Sequence, residues 1–356
     1  MSCKIEALKR QYKIAGLKTM QRSSDKPQVV LPNVAIDATM NRLTHSVMVK
    51  DLCRLMSHSI AIDGVNPDYQ NAVENVGLVH DLGHPPGGHK GAELLSKRVK
   101  EVGVYEGFDD NSQIEIILMK NGGRSILSEY EWASIIKYPK KLYPQLKAKQ
   151  LHNLSNALNK DYDFYAKNKM QMGNFRTTLA CRIMDLCDEI SYVTADMADC
   201  FVMGFGDVSE IIKLREDGKY MNIESIRILD FIISSIKSGN KNLINAAFVE
   251  LRLMLATGYY LDLAGSITPK NEELHQLIKD LYKIETRIFI NNKKVAKQMK
   301  AHLSKIDKYI SKVFDGFIPS KTYKRLISNE KDEIQKFRLM RDMISETTDK
   351  FLLRNI

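Results

Sequence analysis

The sequence predicts an all-α, mainly helical protein. Four segments, at 42–62, 176–203, 223–239 and 332–353, repeat apolar residues every three or four positions, which places them on one face of a helix. Strand-like alternation of apolar and polar residues is scarce, and short turn-forming stretches such as DGVNPD and SGNKN separate the helical segments. These observations favour a helical body with, at most, one small β-hairpin.

The chain has one candidate boundary. No repeat, low-complexity tract or Gly/Ser-rich linker interrupts it, so we expect a continuous helical body. Segments rich in histidine and aspartate end near residue 206, and plain amphipathic helices follow. We therefore expect the chemistry to lie in residues 1–206, and residues 207–356 to form a helical C-terminal part that packs on them.

The composition is that of a globular protein with many surface cations. Hydrophobic residues make up 44% of the 356 positions and charged residues 27%, and the formal net charge is +10. Such a charge favours a polyanionic partner, either a nucleic acid or a phosphorylated small molecule. The lysines are spread along the chain, however, and a solvated lysine-rich surface has the same composition.

The sequence contains no signal for a membrane span or a disulfide framework. No apolar run approaches the roughly 20 residues that span a bilayer, and the N-terminus lacks the apolar core of a secretion signal. The five cysteines are scattered and form no CxxC pair, so we expect buried, reduced thiols. We predict a cytoplasmic protein with no membrane association.

A histidine-rich stretch at 72–95, AVENVGLVHDLGHPPGGHKGAELL, has two interpretations: a metal site or a Gly/Pro-rich turn. His80 and Asp81 follow an apolar helical run, which predicts that the run delivers both side chains to a cavity. Imidazole and carboxylate suit first-row divalent metals, although an isolated His-Asp pair is weak evidence. His45, on the amphipathic segment upstream, supplies a third ligand if the two helices pack together.

Carboxylates in the otherwise apolar segment MDLCDEISYVTADMADC extend this set. Asp188, Tyr192, Asp196 and Asp199 are spaced to form one stripe on a helix, and Asp185 lies one turn earlier. Because an unpaired charge is costly to bury, carboxylates that face a core need a partner such as a cation. The hypothesis is therefore two imidazoles and two carboxylates, from three helices, around one divalent ion.

Together these motifs resemble the HD phosphohydrolase superfamily and, within it, the deoxynucleoside triphosphate triphosphohydrolase (dGTPase-like) family. NRLTHS is similar to that family's R-x-T-HS, HDLGHPPGGHKGAE to HDLGHPPFGHxGE, and GFDDNSQ to GFExNAQ. Four more stretches, IIKYP, MDLCDEISYVTADMAD, SSDKPQV and LMRDMISETTDKF, resemble further family motifs. The seven motifs keep the family's order and extend over nearly the whole chain.

The resemblance implies a fold, a reaction and partners. It implies an HD-domain helical core with a nucleotide-contacting N-terminal segment in residues 1–206, and C-terminal helices in 207–356 that mediate assembly into a hexamer or tetramer. The implied reaction is the hydrolysis of a deoxynucleoside triphosphate, of the dGTP type, to deoxynucleoside and inorganic triphosphate. The implied cofactor is a divalent metal ion, Mn²⁺ or Mg²⁺ ahead of Fe, Co or Zn. Single-stranded DNA and an allosteric nucleotide are further implied ligands.

The resemblance also assigns roles to residues. The implied metal ligands are His45, His80, Asp81 and Asp188, with Asp185 less favoured. The implied catalytic residues are His84, His89, Asp109 and Glu93, and the two histidines among them contact phosphates and assist protonation. The implied substrate-binding residues are Arg42, Lys137 and Tyr138 at the triphosphate, Tyr192 and Asp196 beside a deoxyribose, and Gln28 near the nucleotide.

Three positions depart from the family pattern. The glutamate that follows the third histidine is displaced by one residue, so that Ala92 occupies its place and Glu93 follows. The acid of GFExN is Asp109, with Asp110 next to it, and either carboxylate could serve. The phenylalanine of PPF is Gly87, which predicts a wider or looser loop. These departures bear on rate and base preference more than on metal binding.

Two alternatives remain at this point. The enzymatic alternative is an HD-type nucleotidase or phosphodiesterase that acts on another phosphate ester. The other is a nucleotide-sensing or nucleic-acid-binding relative without turnover, for which the departures at Ala92 and Asp109 are the only hints. The complete H…HD…D set argues against loss of catalysis, since a decayed site loses its ligands first.

Overall fold

The structure is a computed structural model that describes residues 2–26, 40–60, 67–138, 154–161, 176–262, 264–290 and 292–356. Within these ranges the chain is mainly α-helical, which confirms the predicted fold class. In chain order the α-helices are α1 (Ser2–Ala15), α2 (Lys18–Arg22), α3 (Arg42–Ser59), α4 (Pro67–Val79), α5 (Gly88–Glu101), α6 (Asp110–Gly122), α7 (Glu129–Ser134), α8 (154–161), α9 (Leu179–Val202), α10 (Ser209–Glu216), α11 (Ile223–Ser238), α12 (Lys241–Thr257), α13 (Glu272–Glu285), α14 (Lys293–Phe314), α15 (Lys321–Asn329), α16 (Glu333–Glu346) and α17 (Asp349–Arg354). Short 3₁₀ turns lie at Ser23–Asp25 and Arg124–Ile126, and a π-helical turn at Thr286–Ile290 extends α13.

The β-structure of the described ranges is one antiparallel hairpin between α12 and α13. Its strands are β1 (Tyr259–Leu261) and β2 (Ile267–Pro269), and Tyr260 pairs with Thr268. In the connecting turn, Asp262 Oδ1 accepts the backbone N–H of Ser266 at 2.8 Å, which satisfies a group that the ladder leaves unpaired. The sequence analysis allowed for at most one small β-hairpin, in agreement with this one.

The main apolar core lies where α3, α4, α9 and α12 pack against one another. The helix α9, of 24 residues, begins after Thr178, whose side-chain oxygen accepts the N–H of Cys181. Apolar side chains cover most of its surface, so neighbouring helices bury it on several sides. The three helices that carry the predicted metal ligands therefore meet inside this core.

A second apolar core joins α5 to the C-terminal helices α14 to α17. Leu95 and Val99 of α5 pack with Ile306 and Ile310 of α14 and with Met343 of α16. The helices α10 to α13, by contrast, contribute to the main core. Apolar packing thus crosses residue 206 in two places, while the assignment of separate roles to 1–206 and 207–356 stays a prediction.

The ends of α3 and α4 place polar side chains at one end of the main core. The side-chain oxygen of Asn41 accepts the backbone N–H of Thr44 at 2.9 Å, and this cap starts α3 so that His45 lies in its first two turns. The chain leaves α4 at Val79 and turns through buried residues 80–87 before α5. Gly87 closes this turn with a left-handed backbone, φ +77°, which residues with a side chain rarely adopt.

No described helix is both long enough and apolar enough to cross a membrane. Four of the five cysteines, Cys53, Cys181, Cys187 and Cys200, are buried free thiols, as the sequence led us to expect, and the side chain of Cys3 lies outside the described part.

Candidate metal centre and active site

Three helices bring His45, His80, Asp81 and Asp188 together. His45 Nε2 lies 3.0 Å and His80 Nε2 lies 3.3 Å from Asp188 Oδ1. The carboxylate of Asp81 lies 3.8 Å from His45 Nε2 and 3.6 Å from His80 Nε2. His45, His80 and Asp81 each offer a ligand atom within 4.8 Å of the other two, close enough to bind one ion. The structure thus places the four residues that the sequence nominated around one point.

The outward nitrogen of each imidazole is held by a neighbouring group. His80 Nδ1 donates to the carbonyl of Gly77 at 2.7 Å, so its Nε2 carries the lone pair and faces the other ligands. That Nε2 is buried and forms no hydrogen bond. His45 Nδ1 lies 3.3 Å from Ser191 Oγ, which leaves Nε2 toward Asp81 and Asp188. Metal-bound histidines have this arrangement, in which one ring nitrogen is fixed from outside and the other is free to coordinate.

Both carboxylates of the cluster are held ionised. Burial alone would raise the pKa of Asp81, but the neighbouring His84 imidazole and the Arg42 guanidinium outweigh it and keep that pKa well below its usual range. For Asp188 burial also acts upward, and the neighbouring His80 and His45 lower the pKa well below the ordinary value. Ionised carboxylates beside imidazole nitrogens are the donor set that first-row divalent metals bind, so these residues fit such an ion.

Two cations border the carboxylates. Arg42 Nη1 donates to Asp81 Oδ2 at 2.6 Å, and Arg42 is only 3% exposed. Lys137 Nζ lies 3.0 Å from Asp188 Oδ2 and 2.7 Å from Asp185 Oδ1. Burial alone would lower the pKa of Lys137, but Asp188 and Asp185 raise it, so the ammonium group stays charged. A polyanion that reaches the cluster therefore meets two fixed positive charges.

A second group of side chains, His84, His89 and Asp110, lies directly beside the first. Asp110 Oδ2 is 3.1 Å from His84 Nε2 and 3.3 Å from His89 Nδ1. His84 Nδ1 lies 3.1 Å from Asp81 Oδ1, so the second group is in direct contact with the first. Burial and the charge of Arg42 lower the pKa of His84 to about 3, whereas the His89 side chain is 79% exposed. This arrangement connects the buried ligands to the solvent through two imidazoles.

The acid that contacts these histidines is Asp110, not Asp109. Asp109 caps α6, where its Oδ1 accepts the N–H of Ser112 at 2.8 Å. Asp110 is the first residue of the helix, and its side chain points toward the histidines. Close approach makes this contact possible, because a Cβ on Gly83 would lie 1.8 Å from the carbonyl oxygen of Asp110.

The displaced glutamate lies outside this arrangement. Glu93 is on the exposed face of α5 and pairs with Lys90 at 3.0 Å. Ala92, in the position where the family has its acid, packs against the second apolar core. The structure therefore brings His84 and His89 together with the metal ligands but leaves Glu93 on the surface.

The predicted sugar contacts lie further along α9. Tyr192 packs edge-on against Tyr282 of α13, with ring centroids 6.0 Å apart. Burial, together with the charges of Glu285 and Asp199, raises the pKa of Asp196 well above its usual range, and burial raises the pKa of Glu285 to about 8. Because the pKa of both carboxyl groups is raised, the pair holds at least one proton at neutral pH.

The two remaining residues predicted to bind substrate are Tyr138 and Gln28. Tyr138 is 47% exposed, and the Lys137 ammonium lies 5.9 Å from the centre of its ring. Gln28 lies outside the described residues.

The loop after His84 is filled rather than loose. A Cβ on Gly87 would lie 2.6 Å from Ile306 Cδ1, so a side chain of α14 occupies the space beside this glycine. The expectation that glycine widens the loop was wrong, because a long-range apolar contact closes the gap.

Sequence reasoning missed several side chains that contact the site. Ser191 orients His45, Glu285 pairs with Asp196, and two charged residues, Lys26 and Asp349, bind the backbone of the histidine loop. Lys26 and Asp349 lie inside the motifs SSDKPQV and SETTDKF, so the resemblance marked their segments without giving them a role.

Comparisons with known proteins point to the family that the sequence motifs resemble. No family model matches the chain. The chain is 25% identical over 361 residues to a deoxyguanosinetriphosphate triphosphohydrolase-like protein of Rickettsia typhi, covering 96% of this chain and 88% of that protein. Similarity to the Rickettsia akari protein of the same name is also 25%, over 365 residues, with 96% and 86% covered. A protein of that name from Corynebacterium glutamicum is 30% identical over 208 residues, which cover 55% of this chain and 46% of the relative. These similarities support a relationship to the dGTPase-like family.

Proposed function

We propose that the protein is a metal-dependent hydrolase that converts a deoxynucleoside triphosphate, with a dGTP-type base favoured, to deoxynucleoside and inorganic triphosphate. The observation that carries this proposal is the convergence of His45, His80, Asp81 and Asp188 from three helices, with Arg42 and Lys137 beside them. The full-length similarity to proteins named deoxyguanosinetriphosphate triphosphohydrolase-like supports the substrate class.

The four ligands would hold one divalent ion, Mn²⁺ or Mg²⁺ ahead of Fe, Co or Zn. When bound, such an ion polarises a phosphoryl oxygen and lowers the pKa of a bound water. The buried Nε2 of His80, which forms no hydrogen bond, supports this assignment.

The cations and histidines supply the remaining chemistry. Arg42 and Lys137 would offset the charge that accumulates on the triphosphate as the bond to the 5′-oxygen breaks. His84 and His89, joined by Asp110, would contact phosphate oxygens. The proton for the leaving 5′-oxygen would come from the solvent-exposed His89, because the pKa of His84 is lowered to about 3. Asp110 takes the role that the sequence gave to Asp109, because only Asp110 is seen to contact both rings.

Substrate selection would lie along α9. Tyr192 and Asp196 follow Asp188 by one and two helical turns, or about 6 and 12 Å along the axis. The ring of Tyr192 would exclude a bulky 2′ substituent, and the carboxyl of Asp196 would accept a hydrogen bond from the 3′-hydroxyl. Oligomerisation through the C-terminal helices as a hexamer or tetramer, binding of single-stranded DNA and allosteric binding of a nucleotide are further parts of this proposal.

The test is product identity. The protein is incubated with each dNTP and NTP in Mn²⁺ or Mg²⁺, and ion-exchange chromatography separates the products. Inorganic triphosphate and deoxynucleoside support the proposal. Orthophosphate indicates an HD-type nucleotidase or phosphodiesterase instead, and binding of dNTP or single-stranded DNA without hydrolysis in any metal indicates a non-catalytic relative.

The site itself is tested by His45→Ala and Asp81→Ala. Both variants should lose bound metal and activity, because each removes one of four ligands. His58→Ala is the matched control, since His58 is an exposed histidine on the same helix, α3, and should leave metal content and activity unchanged. Full activity in either ligand variant would refute the assignment.

A further inference from the structure

The buried turn at 80–87, which we name the histidine loop, is held by two charged side chains that are distant in sequence. Its residues His80, Asp81 and His84 belong to the site, so the position of its backbone sets theirs. The backbone N–H of Gly87 and the carbonyl of His84 both bind side chains from outside the loop.

The first of these anchors is Asp349, at the start of α17. Its Oδ1 accepts the N–H of Gly87 at 2.9 Å and lies 2.5 Å from His302 Nε2 on α14. Asp349 is 1% exposed, and its Oδ2 forms no hydrogen bond. A buried carboxylate is costly unless it is paired, so its placement against a loop N–H is a specific arrangement.

The second anchor is Lys26, in the segment between α2 and α3. Its Nζ donates to the carbonyl oxygens of His84, at 2.6 Å, and of Ser345, at 2.9 Å. Lys26 is 5% exposed, and burial lowers its pKa to about 8 against the opposing charge of Asp349. One ammonium group therefore joins the loop to the C-terminal end of α16.

The anchors surround the segment that carries His84. Lys26 fixes the carbonyl of His84 itself, and Asp349 fixes the amide three residues later. Ile306, one turn after His302 on α14, packs where a Cβ on Gly87 would lie. The C-terminal helices thus contact the loop by a salt-bridged carboxylate and by an apolar side chain.

We propose that Asp349 and Lys26 are positioning residues that fix the histidine loop, and with it the ring of His84 against Asp81 and Asp110. They act through the backbone of the loop, and the C-terminal helices thereby form part of the active-site scaffold. The effect on turnover rests on the proposed function, but the effect on the loop does not.

Hydrogen exchange of the full-length protein tests the loop directly. In Asp349→Ala the Gly87 N–H loses its acceptor, so amides in the peptide 80–90 should exchange about tenfold faster. Asp342→Ala is the matched control, because Asp342 is a buried carboxylate of α16, is paired with Lys120 and Arg341, and belongs to the same C-terminal group. The control should leave exchange in this peptide unchanged. Equal exchange in the two variants overturns the proposal.

Kinetics separates positioning from general stabilisation. We expect Asp349→Ala to lower kcat about 10²-fold per folded molecule, with KM changed little, because a misplacement of about 1 Å has such an effect. Asp349→Asn keeps an oxygen that can accept the Gly87 N–H and should recover part of both the rate and the exchange protection. If Asp349 only stabilises the fold, both Asp349 variants should have a lower Tm than the wild-type protein. Their kcat per folded molecule should then equal that of Asp342→Ala.

The outcomes distinguish this proposal from the proposed function. If the wild-type protein hydrolyses no dNTP, the proposed function fails and hydrogen exchange still decides whether Asp349 holds the loop. If Asp349→Ala does not fold, Lys26→Met carries the same comparison, because it removes the ammonium group that binds the carbonyl of His84. Wild-type exchange of the peptide 80–90 in Lys26→Met would then contradict the proposal.

Discussion

Replacement of Gly83 by alanine should separate Asp110 from the histidines. A Cβ on Gly83 would lie 1.8 Å from the carbonyl oxygen of Asp110, whereas real Cβ contacts are essentially never closer than 3.0 Å. The atoms that this Cβ would meet, the carbonyl oxygen and carbon of Asp110, are backbone atoms and cannot rotate away. The histidine loop and the start of α6 must therefore move apart by about 1.2 Å. The contacts of Asp110 Oδ2 with His84 and His89, now 3.1 and 3.3 Å, would then exceed hydrogen-bond length.

The consequence should be catalytic. Displacement by about 1 Å predicts a loss of activity of about 10²-fold, and the strained packing predicts a loss of stability of about 1 to 3 kcal/mol. Activity is measured per folded molecule on the best dNTP, bound metal by elemental analysis, and stability by urea denaturation. Gly16→Ala is the matched control, because its Cβ would meet its nearest atoms at an ordinary 3.5 Å. Undiminished activity of Gly83→Ala would show that the close approach of loop and helix does not matter to the reaction.

Two further predictions concern metal affinity and pH. Ser191→Ala removes the group that faces His45 Nδ1 and should weaken metal affinity by about 10- to 100-fold, measured by competition with a chelator; unchanged affinity would contradict the orienting role. Burial raises the pKa of Asp161 to about 6 although Tyr130 and Leu179 donate to it, so the folded state holds this proton more tightly than the unfolded chain. That stability is fully present below about pH 4 and is lost as pH rises through 6, by up to about 3 kcal/mol. Between pH 4 and 7 the free energy of unfolding, measured by urea denaturation, should change less favourably in the wild-type protein than in Asp161→Asn, by up to this amount, and equal pH dependence in both would refute the prediction.

Much of the fold could be predicted because its signals are local. Apolar residues at intervals of three and four define α9 and α3 whatever they pack against, and the alignment of Asp188 with Tyr192 and Asp196 follows from helical geometry alone. The residue types of the candidate metal site were likewise visible in sequence, since a carboxylate buried in an apolar segment needs a partner such as a cation.

The choice between Asp109 and Asp110 could not be made from sequence. Neighbouring residues at a helix start point in different directions, and both are carboxylates. The side chain of Asp109 caps α6 by accepting the N–H of Ser112. The close approach of Gly83 to the start of α6 places Asp110 beside the histidines. The first effect is local and could have been proposed, but the second depends on how closely the histidine loop approaches α6 in the fold.

The sequence by itself determined the helices and nominated the residue types of the candidate metal site, because each depends on residues within a few turns of one another. Only the tertiary structure decided that Lys26 and Asp349 hold the histidine loop and that Ile306 fills the space beside Gly87. Asp349 lies 262 positions from Gly87, and no periodicity extends over such a distance. A buried polar group must find a partner wherever the packing provides one, and that partner is fixed by the fold rather than by spacing along the chain.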